Sequence, residues 1–81
     1  MNTTTARDTV LDLLGEIAPE VDRADVPDDE DLRDAVDLDS LDFLTLVERV
    51  AAATGVDVPE DDYDQVRTLN GWVGYLSART G

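Results

Sequence analysis

The apolar positions of this chain fall into helical repeats separated by one long irregular stretch. Over residues 6–17, Ala6, Val10, Leu11, Leu13, Leu14 and Ile17 gather on one face, with Asp8, Asp12 and Glu16 opposite at four-residue spacing. That is the pattern of an amphipathic helix with a solvated acidic side. Thr4 or Thr5 is placed to cap its start. Gly15 weakens its interior, and Pro19 prevents much continuation.

A second repeat spans Ser40 to Thr54. At about 100° per residue, Phe43, Leu44, Leu46, Val47, Val50 and Ala51 occupy an arc of about 160°. Asp42, Thr45, Glu48, Arg49 and Ala52 fill the other side. Leu41 breaks the pattern, because it projects from the polar face. Asp39 is the predicted N-cap and Gly55 the C-terminal stop. Between the two helices, from Ala18 to Asp39, the periodicity fades, and Pro27 and the run Asp28-Asp29-Glu30-Asp31 intrude. A loop of about twenty residues is long for so small a chain. Val21, Val26, Leu32, Val36 and Leu38 recur as apolar anchors, so the loop is expected to lie against the helices, with a helical turn over residues 31–36. Farther on, Pro59 opens a short helix reaching Asp64, with Glu60 and Asp61 near its N-terminus. Thr68 then caps a last helix whose inner face is Leu69, Trp72, Val73 and Leu76. Gly71 and Gly74 each lower its propensity by about 1 kcal/mol against alanine.

Eighty-one residues suit one domain near the lower limit for a core that folds unaided. The longest apolar runs are far too short for a membrane span, and the first residues show neither basic flank nor apolar stretch. A soluble, cytoplasmic monomer is the expectation. Twenty acidic and 6 basic residues give a net charge of −14. Such a surface repels nucleic acid and anionic membranes. It suits a basic protein partner met by electrostatic steering, although acidity also simply keeps a small protein soluble. The acidic run lacks the spacing and central glycine of a calcium loop and is read as a solvated charge run.

The residues that are missing narrow the chemistry further. Without histidine, lysine or cysteine, Ser40 has no base of the kind that activates a serine nucleophile. Metal sites built on nitrogen or sulfur are excluded, so no metal is expected. Any thioester chemistry would need a thiol imported on a prosthetic group. Ser40 taken alone is an ordinary helix-start serine. A phosphodiester there would meet a favourable helix-terminal field, opposed by Asp39 and Asp42.

The motif Asp39-Ser40-Leu41-Asp42 resembles the acyl carrier protein family, in which an Asp-Ser-Leu turn opens the second helix and the serine carries 4′-phosphopantetheine. Gly55-Val56-Asp57-Val58-Pro59-Glu60, then Tyr63, then Val66-Arg67-Thr68-Leu69 follow at matching distances, so the resemblance covers nearly the whole chain. It implies an all-α four-helix bundle with three main helices, a short third helix and a long first loop. It further implies a non-catalytic, free-standing carrier holding acyl intermediates as thioesters on an arm at Ser40, for fatty acid, polyketide or related biosynthesis. A phosphopantetheinyl transferase would load the arm from coenzyme A. Acyl-activating, ketosynthase or acyltransferase enzymes with basic docking surfaces would meet Asp39, Leu41 and Asp42. Leu46, Val50, Val58 and Val66 match positions lining the family's acyl pocket. Trp72, larger than the residue many relatives place there, would fill part of it and weaken sequestration of long chains.

One position departs from the pattern: many carriers have glycine three residues before the serine, where this chain has Asp37. Peptidyl and D-alanyl carriers share the arm, but Asp37-Leu38-Asp39 does not favour the peptidyl type. An unmodified acidic interaction module would use the charge and leave Ser40 and Leu41 unexplained.

The charge itself makes a prediction. Fourteen excess negative charges repel one another most in the folded state, and screening at ~0.15 M salt shortens their reach to ~8 Å. The melting temperature is expected to rise from low to moderate NaCl in a thermal scan. A flat or falling trend would contradict it.

Overall fold

The computed structural model describes residues 1–80. Its described residues form three long helices, α1 (Thr3–Ile17), α3 (Ser40–Thr54) and α4 (Leu69–Thr80), and a one-turn helix α2 (Leu32–Ala35). Two 3-10 segments, Arg23–Asp25 and Glu60–Val66, complete the order. α1 packs against both α3 and α4, and α4 also packs against the second 3-10 segment. This is the expected all-α bundle with a long first loop.

Each long helix begins where a side chain can take up a free backbone N–H. At α1 that residue is Asn2, whose Oδ1 accepts from Thr5 N at 2.8 Å, so neither Thr4 nor Thr5 is the cap. The helix starts three residues earlier than the apolar pattern indicated, because residues 3–5 are polar and exposed and leave no mark in hydrophobic periodicity. At α4, Thr68 Oγ1 accepts from Gly71 N at 2.9 Å, as expected. α3 ends at Gly55, which turns left-handed at φ 77°. Glycine takes that conformation without steric cost.

The core runs through all elements. Ala6, Val10 and Leu14 of α1, Leu46 and Val50 of α3, and Leu69, Trp72 and Leu76 of α4 are all essentially inaccessible. The loop contributes Val26, Leu32, Val36 and Leu38, and so lies against the bundle. Tyr75, absent from the inner face expected for α4, is also buried. Its hydroxyl donates to Asp62 Oδ2 at 2.7 Å, and the Arg79 guanidinium covers its ring at 3.4 Å. Burial, then the Asp62 hydrogen bond, push the Tyr75 hydroxyl above the ordinary tyrosine pKa, with Arg79 opposing. The phenol therefore keeps its proton and clamps the 3-10 segment to α4. A polar tip on a flat apolar body is legible as half-buried at best, which is why periodicity alone passed over it.

Two expectations need correction. The short helix after Pro59 is a 3-10 segment extending to Val66. Three residues per turn align Glu60, Tyr63 and Val66 on one side, which lets Val66 enter the core. The acidic run is not merely solvated: it laces the loop to the rest of the fold. Asp28 pairs with Arg7 and its carbonyl accepts from Asn70 N. Asp29 accepts from Asn70 Nδ2 at 2.7 Å. Asp31 caps α2 through Arg33 N at 2.9 Å and pairs with Arg67 at 3.3 Å. Leu32 N donates to the Arg67 carbonyl at 2.8 Å, closing the seam.

The two α4 glycines play opposite parts. A Cβ on Gly71 would overlap the Gln65 backbone carbonyl, whereas one on Gly74 would meet open space. Gly74→Ala is expected to stabilise by up to about 1 kcal/mol, while Gly71→Ala destabilises despite the same propensity gain. Urea midpoints of the two variants check this, and equal shifts would refute the close approach.

Candidate functional site

The start of α3 is fixed by two backbone events. Val36 and Leu38 are both buried, and Asp37 between them is exposed at φ 55°. A left-handed residue here reverses the chain after α2 so that Leu38 turns into the core. Glycine is the natural occupant of such a position. Aspartate tolerates it better than most residues because its short polar side chain can bond locally. Position 37, where the resemblance implies glycine, is therefore one where backbone geometry favours it. Two residues on, Asp39 is extended (φ −85°, ψ −178°), its Oδ1 accepts from Asp42 N at 2.8 Å, and its carbonyl accepts from Phe43 N at 3.0 Å. Asp39 is thus the cap, with one carboxylate oxygen already engaged.

This start sets the phase of α3. Ser40 is exposed in the first turn. Leu41 is 73% exposed, as the broken apolar pattern predicts. Asp42 is half-buried. Leu44, placed on the apolar arc by its spacing, is 40% exposed, because the arc's edge faces a cleft rather than the core. That cleft has a volume of about 420 Å³ and opens between α2, the first turns of α3 and the 3-10 segment Glu60–Val66. Ser40 stands on its wall together with Leu44, Phe43, Tyr63, Arg33 and Arg67. Phe43 and Tyr63 meet edge to face, 5.1 Å between centroids, and join α3 to the 3-10 segment beneath it.

The five residues expected to line an acyl pocket lie elsewhere. Leu46, Val50, Val58, Val66 and Trp72 are all buried in the core, and none lines this cleft or the second one between α1 and the loop. Trp72 is fully buried, as expected, and its indole N–H has no hydrogen-bond partner. An unpaired buried donor costs about 1–3 kcal/mol, so the indole is held by packing alone. The cleft residues Arg33, Tyr63 and Arg67 were not expected at the site. They come from two separate segments, which the loop seam and the Phe43–Tyr63 contact bring beside Ser40.

An exposed hydroxyl at the edge of a half-apolar cleft is accessible to covalent attachment. Residues 8–76 match the family model described as a phosphopantetheine attachment site. The chain belongs to that family. It is a phosphopantetheine-bearing carrier protein, and the carrier's prosthetic group is covalent 4′-phosphopantetheine. Domains of this kind are in general carriers rather than catalysts. The arm's thiol holds cargo as a thioester when the group is bound. Among the described residues of the carrier, no helix is long and apolar enough to cross a membrane.

The left-handed turn gives a direct test. Asp37→Val is expected to destabilise by about 1–2 kcal/mol, the cost of forcing a β-branched residue left-handed. Asp37→Asn and Asp37→Gly should hold or raise stability. Chemical denaturation compares the three, and a valine variant as stable as the asparagine one would refute strain at this turn.

Proposed function

We propose that Ser40 is the attachment residue and that the carrier shuttles acyl groups between enzymes of fatty acid, polyketide or related biosynthesis. The observation that carries this is an exposed serine in the first turn of α3, on the wall of a cleft, with a 73% exposed leucine beside it. Loading by a phosphopantetheinyl transferase forms a bond from Ser40 Oγ to the phosphorus of coenzyme A's phosphopantetheine half. The pyrophosphate P–O bond breaks, 3′,5′-adenosine bisphosphate leaves and the hydroxyl proton passes to a base. The chain has no histidine, lysine or cysteine to receive that proton, which leaves the transferase or a carboxylate beside Ser40 as the base. The carrier's own contribution is to present the hydroxyl on a rigid helix start, held by the Asp39 cap.

Leu41 and Asp42, with the free oxygen of Asp39, form the docking surface in this proposal. Burying a leucine is worth roughly 1.5–3 kcal/mol, which the fold does not collect from Leu41 and a partner pocket can. The carboxylates meet arginine or lysine at the rim of that pocket. Arg49, farther along α3, is paired with Glu16 at 3.4 Å, so acidity concentrates near the serine end. The buried set Leu46, Val50, Val58, Val66 and Trp72 would have to part for cargo to enter. The bulk of Trp72 then favours short chains, or cargo left outside the core.

Intact-mass analysis after incubation with coenzyme A and a broad-specificity transferase is expected to show one added phosphopantetheine, lost in Ser40→Ala. Leu41→Ala should leave the melting temperature nearly unchanged while slowing loading, and Asp42→Arg should slow it further, in a salt-dependent way. Modification persisting in Ser40→Ala, or mapping to Ser77, would overturn the assignment.

A further inference from the structure

Nearly all the positive charge of this chain is consumed internally. Arg7 pairs with Asp28, Arg23 with Asp8 and Asp12, Arg49 with Glu16, Arg67 with Asp31 and Asp64, and Arg79 with Asp62. Among the described residues, Arg33 is the one arginine whose side chain has no carboxylate partner. With 20 acidic residues to 6 basic ones, that isolation does not come from a shortage of acids. Its backbone, by contrast, is firmly held. Arg33 N donates to the Asp31 cap at 2.9 Å, and its neighbour Leu32 is buried and bonded to the Arg67 carbonyl. Arg33 is exposed and stands on the wall of the cleft that Ser40 shares, where Asp31, Glu60 and Asp64 also line it.

We propose that Arg33 is the anion-pairing residue at the foot of the arm, its guanidinium meeting the phosphodiester joined to Ser40. This rests on Ser40 being the attachment residue. A phosphate at Ser40 stands between Asp39 and Asp42, and the Asp42 N–H that would greet it is already bonded to Asp39. Like-charge repulsion there needs an offset, and a guanidinium matches a phosphate through parallel N–H donors. Arg67, on the same wall, is taken by Asp31 at 3.3 Å and Asp64 at 3.6 Å. A carboxylate on the cargo offers similar chemistry from the far end of the arm. The phosphate is favoured because it is bonded directly to Ser40 Oγ and so always lies at the cleft. Pairing with Arg33 draws the foot of the arm toward α2. Leu41, which does not line the cleft, stays uncovered for a partner.

The test compares the apo protein with the protein loaded from coenzyme A, conversion being verified by intact mass. Nuclear magnetic resonance follows the arginine Nε–Hε signals and the phosphorus signal. The Arg33 signal is expected to move on loading at low salt and to move back as NaCl is added, while the Arg67 signal stays. The phosphorus signal should differ between wild type and Arg33→Gln, with Arg33→Lys in between. The exposed Arg33 side chain has no partner to lose, so apo Arg33→Gln should melt with wild type. The wild-type arginine signals in any case do not depend on the variant. Verified loading with an unmoved Arg33 signal and identical phosphorus signals overturns the proposal and leaves the Ser40 assignment standing. Movement only after charging with a carboxylate-ended acyl group, and not with a neutral one of equal length, assigns the anion to the cargo and overturns the phosphate pairing. Failure to gain mass at Ser40 defeats the attachment assignment and this pairing with it.

Discussion

The hydrogen bond from Asp42 N to the Asp39 carboxylate decides where α3 begins, and most of the molecule's functional surface follows from that start. Successive helical residues differ by about 100°, so a start displaced by one position would rotate Ser40, Leu41 and Leu44 relative to the cleft and the core. The cap cannot act alone, because the chain must reach it from the right direction. The left-handed Asp37 provides this by letting Val36 and Leu38 both point inward. A strained residue, a cap and a buried leucine together place one hydroxyl.

A second constraint holds the other half of the site. α2 has only four residues and could not persist unaided. It is kept in place by Leu32 in the core, by the Asp31 cap and by the backbone bond to Arg67. The acidic run is thus partly spent on holding the loop against α1 and α4. Each exposed pair contributes at most about 1 kcal/mol. Their arrangement in one seam still gives the loop a defined path, and with it a defined cleft.

Much of this was legible in the sequence. The extent of α3, its cap, its stop and the exposure of Leu41 all follow from spacing and end residues, because one helix face must be buried and both ends need partners. The loop's apolar anchors were visible for the same reason. What periodicity could not register were polar interactions between distant segments. Asn2 as a cap, Tyr75 bonded to Asp62 and the lacing of Asp28, Asp29 and Asp31 leave no apolar trace. The cleft leaves no trace in the periodicity because it forms where three segments meet. Leu44 sits at the edge of the apolar arc, where spacing does not distinguish a core from a groove. Asp37 was legible only as a departure from a pattern, and its reason became clear with its φ angle.

The packing of α1 against α4 has a consequence for how the chain assembles. These helices are far apart in sequence, so the apolar face of α1 has its partner only after the intervening chain has closed on itself. Such a closure costs entropy before it gains contacts. α3, in the middle, rests on α1 and shares a core with α4. During synthesis the serine helix emerges before the last wall of its core exists. The packed surroundings of α3 are therefore complete only once α1 and α4 have closed around their shared core.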